Sequence, residues 1–289
     1  MLQEARPPMS YALIDVKPVA GALGAEVFGV DLSQPLSDAV EAEVKRAFVD
    51  HLVLFFRDQK LDEDQLLRVA GLFGVPNVYP FAKGLESHPK ITPLIKNPED
   101  KANFGGGAFH ADTTYLERVP AATALYGLDI PPAGGDTLFA NMYMAYDTLS
   151  EGMKRLIDPL VGISSAGAGR VGDRKQLMNA KSKSIQLQNM DKLSMEAEHP
   201  AVRVHERSGR KALFVNYIHT LKFKGWTEAE SEPVLQYLFQ HLKRPEFTCR
   251  LRWQPGTLAV WDNLASQHYA VNDYDGHRRV MWRVTLEAA

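Results

Sequence analysis

Apolar residues recur at helical spacing through SDAVEAEVKRAFVD (37–50) and again through DEDQLLRVAGLF (62–73). The first run predicts a helix capped by Ser37, and the second opens on a capping box formed by Asp62 and Gln65. Around them GALGAEVFGVDL (21–32) and HLVLFFRD (51–58) read as strands. Residues 109–142 predict further strands, interrupted at PPAGG (131–135), after which MAYDTLSEGMKRLID (144–158) predicts one helix. AVRVHE and KALFVNY flank RSGR (207–210), a hairpin signal. TEAESEPVLQYLFQHL (227–242) predicts a helix with a Thr227/Glu230 capping box. Three closing strands follow: FTCRLRW (247–253), TLAVWD (257–262) and RVMWRVTL (279–286). Strands dominate and helices flank them, which suits a mainly β fold, a double-sheet barrel packed with helices.

One segment breaks the pattern. Residues 164–200 are rich in small, polar and basic side chains and show little periodicity. An insertion of this kind reads either as a lid or binding loop or as a solvated excursion. The rest, 11–289, reads as one domain, with residues 1–10 a disordered N-terminus.

Composition narrows the class. The chain has 289 residues, 45% hydrophobic and 24% charged, within the range of soluble globular proteins. A formal net charge of −2 gives no global field for nucleic acid or an anionic membrane. MLQEARPPMS lacks the apolar core of a signal peptide, and no apolar run is long enough to span a bilayer. The single cysteine, Cys249, forms no internal disulfide and is expected to pack in a strand. These features predict a soluble, cytoplasmic protein with neither nucleic acid nor membrane as partner.

The candidate chemistry starts at GGGAFHADTTYLERVP (105–120), where Asp112 follows His110 by two. On a strand, residues i and i+2 share a face, so both would aim at one spot. With nine histidines and 35 acidic residues, about one such pair is expected by chance, so the pair alone is weak. Two histidines and a carboxylate on one face of an iron leave three positions open. The best third ligand is His268, between AVWDN and RRVMWRVTL. The other histidines sit at helix ends, beside prolines or in loop-like sequence; His277 could line the site.

Two arginines sharpen the picture. Arg279 and Arg283 lie four apart and share a strand face with Met281, while Val280, Trp282 and Val284 form the apolar opposite face. Cations turned into a barrel are costly unless each meets an anion. Thr137, in GGDTLFAN, could share such an anion with an arginine.

Taken as a set, His110-x-Asp112, GGDT with Thr137, WDN (261–263), His268, Arg279 and Arg283 resemble the TauD/TfdA (taurine dioxygenase) family. The resemblance runs over nearly the whole chain. It implies a double-stranded β-helix (jelly-roll, cupin-like) core. It implies a dioxygenase using Fe(II), 2-oxoglutarate and O2, with His110, Asp112 and His268 as metal ligands. Arg279 and Thr137 would hold the distal carboxylate of 2-oxoglutarate. Arg283 would bind the anionic group of a small organic substrate: a sulfonate, a sulfate ester or a carboxylate such as an aryloxyalkanoate. The products would be succinate, CO2 and a hydroxylated substrate. Tyr79 matches a tyrosine lining the taurine site. Two polar residues of the taurine enzymes are Pro76 and Gly106 here, which predicts a larger, less polar pocket. Phe81, Phe104, Tyr115 and Trp253 are further candidate liners. Enzymes of this type often form homodimers or homotetramers. The competing readings are an inactive or sensory relative that binds an anionic metabolite, and a metal-independent or zinc hydrolase using His110 and Asp112, which would leave both arginines unexplained.

Overall fold

The computed structural model describes residues 10–100, 107–166, 188–189 and 195–288. The expected N-terminal tail, Phe104, Gly106 and most of the 164–200 insertion lie outside the described residues.

The first half runs β1 (Asp15–Pro18), β2 (Ala25–Phe28), α1 (Asp38–His51), β3 (Val53–Phe56), α2 (Glu63–Ala70), β4 (Val75–Asn77), β5 (Ile91–Lys96), β6 (Ala122–Asp129), β7 (Thr137–Asn141), α3 (Met142–Asp147) and α4 (Glu151–Ile157). The second half runs β8 (Val161–Ser165), β9 (Glu196–Pro200), β10 (Val202–Val204), β11 (Lys211–Leu213), β12 (Thr220–Phe223), α5 (Glu228–His241), β13 (Thr248–Leu251), β14 (Leu258–Asp262), β15 (Ser266–Ala270) and β16 (Arg279–Glu287). The major sheet has the order β1-β2-β3-β14-β6-β16-β4, with β5 also paired to β16. A smaller sheet has the order β13-β7-β15; β12-β8-β9 and the β10–β11 hairpin complete the framework.

The period of two explains how the sheets pack. In β3 and β14, Val53, Phe55, Ala259 and Trp261 face one buried cluster with Phe139 and Leu251 of the smaller sheet. Their alternates Leu54, Phe56, Leu258 and Val260 face a second cluster with Val44 and Phe48 of α1 and Leu66 and Val69 of α2. Central strands are therefore apolar on both faces, as the sequence HLVLFF requires. On β16, Met281 joins the inter-sheet cluster while Trp282 and Val284 join the helix-covered one. That is the facing expected from the alternation around Arg279 and Arg283.

The predicted caps form. Ser37 accepts from the Val40 N–H, and both capping boxes, Asp62/Gln65 and Thr227/Glu230, are complete. Cys249 is buried in β13, and burial pushes its thiol up to about 12, so it packs rather than reacts.

Two expectations need correction. Residues 144–158 form not one helix but parts of α3 and α4, because Ser150 caps a new helix by accepting from the Met153 N–H. The Thr148 hydroxyl meanwhile donates to the Met144 carbonyl and closes the first. And the residues around Asp112 are not a strand. His110 makes an isolated bridge to His268, and the chain then turns at Thr113, whose φ is 52°.

Candidate active site

His110 and His268 are brought together by backbone alone. The His110 N–H donates to the His268 carbonyl at 3.0 Å, and the His268 N–H donates back at 2.9 Å. Their rings lie 4.3 Å apart. His268 sits on a strand of its own, β15, where its ring packs 4.8 Å from Trp261.

Asp112 needs another device, since it has no ladder partner. The Asn263 side chain supplies one. Its Oδ1 accepts from the Asp112 N–H at 2.7 Å, and its Nδ2 donates to the Asp112 carbonyl at 3.0 Å. Asn263 thus imitates a neighbouring strand for a single residue, and it is fully buried. The left-handed Thr113 that follows is a strained conformation for a β-branched residue, held by this clamp.

The donor atoms are correctly prepared. Asp112 Oδ2 accepts from the Thr123 hydroxyl at 2.9 Å, and Oδ1 faces the two imidazoles. Oδ1 lies 3.9 Å from His110 Nε2 and 4.0 Å from His268 Nε2. His110 Nδ1 is 3.0 Å from the Ala108 carbonyl; donating there leaves the Nε2 lone pair facing inward. Burial, followed by the neighbouring His110, pushes the His268 imidazole down to about 3 against the pull of Asp112. It is therefore neutral at pH 7, as a ligand must be. Burial opposes ionisation of Asp112, but Arg283, His268 and His110 outweigh it and hold the carboxyl well below its usual range. Three donors within 4.8 Å of one another, two imidazoles and one carboxylate, fit a non-haem Fe(II) centre with open positions.

Arg279 and Thr137 meet around Trp253. The indole N–H donates to Thr137 Oγ1 at 2.9 Å, which leaves the hydroxyl proton to donate elsewhere. The Arg279 guanidinium lies 5.8 Å from the same ring. Its Nη2 donates to the Gly135 carbonyl at 3.2 Å, while its buried Nε has no partner among the described residues. Burial lowers the Arg279 pKa from its usual value.

Arg283 occupies the other side. Its Nη1 is 3.9 Å from Asp112 Oδ1, and the guanidinium stacks 4.4 Å from the Tyr79 ring. Nε and Nη2 are buried without partners among the described residues. Burial disfavours this charge, but Asp112, with Tyr79 and Tyr115, more than compensates and raises the pKa. Tyr79, Phe81 and Tyr115 form an aromatic wall, with Phe81 5.6 Å from Tyr115 and the two hydroxyls 3.4 Å apart.

Trp253 therefore belongs with Thr137 and Arg279 and not with the Tyr79 wall, and His277 is exposed. Several contributors were missed. His219 is buried 5.0 Å from Tyr115 and 6.4 Å from His110. Its loop-like sequence carries no sign of this. Asn263 and Thr123 are also new; only the WDN triplet hinted at the first.

A jelly-roll that carries two histidines and a carboxylate beside two partly buried arginines defines a metal-dependent oxygenase. The profile of the "Taurine catabolism dioxygenase TauD, TfdA family" matches residues 15–285, and the chain belongs to that family. It is 36% identical to the alpha-ketoglutarate-dependent sulfate ester dioxygenase of Pseudomonas putida, over 94% of this chain and 89% of that one. It is 29% identical to the (S)-phenoxypropionate/alpha-ketoglutarate-dioxygenase of Sphingobium herbicidovorans, over 93% of each. The crystal structure of a taurine dioxygenase from Burkholderia xenovorans superposes with a TM-score of 0.79 at 31% identity, covering 96% of this chain and 92% of that one.

Proposed function

We propose that the protein hydroxylates a C–H bond of a small anionic organic substrate, using O2 and 2-oxoglutarate and releasing succinate and CO2. His110, Asp112 and His268 would hold Fe(II). When bound, the iron supplies the redox chemistry that couples O2 to oxidative decarboxylation of 2-oxoglutarate. Arg279 and the Thr137 hydroxyl would grip the distal carboxylate, for which a guanidinium fork is suited. Arg283 would bind the substrate anion, and Tyr79, Phe81 and Tyr115 would flank its organic part and exclude water. A hydroxylated carbon that bears a sulfate, sulfonate or ether oxygen collapses to a carbonyl compound and releases the leaving group.

The observation that carries the substrate class is Arg283. A guanidinium beside the candidate metal ligands with two buried nitrogens that have no partner among the described residues calls for an anion. The aromatic wall favours an alkyl or aryl group larger than that of an aminosulfonate. Sulfate esters and aryloxyalkanoates both satisfy these demands, in keeping with the relatives' substrates.

The test is succinate release with Fe(II), ascorbate and 2-oxoglutarate across alkyl sulfates, sulfonates and aryloxyalkanoates. Stimulation by one of these classes supports the reading. Failure to bind iron, with no turnover on any of them, overturns it. We further place the enzyme in the cytoplasm as a homodimer or homotetramer, which light scattering would check. Among the described residues no helix is long and apolar enough to cross a membrane.

A further inference from the structure

The loop between β15 and β16 does more than connect two strands. Arg279 on β16 stands directly opposite Lys96 on β5. Like charges at such a position repel, and the Lys96 side chain is only 6% exposed, so water screens it little. Tyr274 answers this. Its ring lies 4.5 Å from Lys96 Nζ and 5.5 Å from the Arg279 guanidinium, so one buried aromatic ring serves both cations. Of the residues on either side of Tyr274, Asp275 reaches Lys96 on β5 and Asp273 reaches the turn before β7 that contacts Arg279. Asp275 Oδ1 is 2.7 Å from Lys96 Nζ. Asp273 Oδ1 accepts from the Gly135 N–H at 2.7 Å, and the Gly135 carbonyl in turn accepts from Arg279 Nη2 at 3.2 Å.

The glycines before Thr137 fit this arrangement. Gly134 and Gly135 have φ values of 80° and 71°. A Cβ on Gly134 would stand 2.6 Å from the Asp273 carbonyl oxygen, so only glycine lets the two loops meet. The Arg279 fork is thus aimed by the protein itself, with its buried Nε still without a partner among the described residues.

We propose that Tyr274, fixed by Asp273 and Asp275, is a positioning residue that pre-orients Arg279 and thereby sets the affinity for 2-oxoglutarate. The proposal rests on the cosubstrate role given to Arg279 above. Pre-orientation lowers the ordering cost of binding, so its loss raises Kd and KM for 2-oxoglutarate with a smaller effect on kcat.

The experiment is anaerobic calorimetric titration of 2-oxoglutarate into the Fe(II)-loaded enzyme, with succinate kinetics alongside. Tyr274→Leu is expected to raise Kd and KM for 2-oxoglutarate about tenfold. Tyr274→Phe keeps the ring but loses the hydroxyl contact to Arg279, so its effect should fall between the parent and Tyr274→Leu. Asp273 is exposed, so Asp273→Ala leaves the packing intact; it should weaken binding about threefold, with Asp273→Asn restoring it. Iron affinity should be unchanged throughout. If Tyr274→Leu does not fold, the Asp273 pair decides. Parental 2-oxoglutarate affinity in the folded Tyr274→Leu and Asp273→Ala variants, or a loss that merely follows iron affinity, overturns the proposal. Absence of 2-oxoglutarate binding by the unaltered enzyme overturns instead the reading of Arg279 on which it depends.

Discussion

Arg279 and Arg283 lie four residues apart on one strand, are both partly buried, and are stabilised in opposite ways. Arg279 is framed by Trp253, Tyr274 and a backbone carbonyl, and burial lowers its pKa. Arg283 lies against the Asp112 carboxylate, and its pKa is raised. The first is a cation whose surroundings are mostly neutral dipoles and ring faces, so it gains most from a fully charged carboxylate. The second already shares a counter-charge, so an incoming anion must compete with Asp112 for it. If each binds the anion proposed for it, the same residue type on the same strand would make a strong general anchor at one end and a more selective one at the other.

Substitutions can break this contrast, beginning with Asp112, the proposed metal ligand that also faces Arg283. Asp112→Ala should lower turnover at least about a thousandfold, measured as succinate release, by removing a ligand from the catalytic metal. Arg279→Ala should raise KM for 2-oxoglutarate about a hundredfold while leaving iron affinity intact, since charge-assisted pairs are lost. Arg283→Ala should raise KM for the primary substrate about thirtyfold and change 2-oxoglutarate affinity less than about threefold. If instead it abolishes 2-oxoglutarate binding in calorimetry, the two arginines have been assigned the wrong way round. Asn263→Ala should weaken iron about tenfold in a competitive chelator titration, as losses of a ligand's supporting contacts do. Parental iron affinity there would show that the turn at Thr113 holds Asp112 unaided. Trp253→Phe should raise KM for 2-oxoglutarate only about threefold, because it frees the Thr137 hydroxyl without moving a charge.

Much of this was legible in the residues. The strand alternation around Met281 placed both arginines on the inner face, and the capping boxes located the helices. What escaped were features that depend on contacts between distant parts of the chain. Asp112 was expected on a strand with His110, because FHADTTY has a strand's composition. A side-chain amide 151 residues away replaced the ladder, and no local pattern encodes that. The break between α3 and α4 is a case of local competition. The apolar spacing runs straight through, while Thr148 and Ser150 offer the backbone better partners. His219 escaped because a buried position reached through a turn has no periodicity.

The placement of β16 bears on how the enzyme is made. The last strand of the chain lies inside the major sheet, with β6 on one side and β4 and β5 on the other. On a ribosome the earlier strands must wait for it, because a central strand cannot be appended at an edge. His268 and both arginines arrive with that same final stretch. The candidate ligand His268 and both arginines therefore take their places only when β15 and β16 have joined β7 and β6.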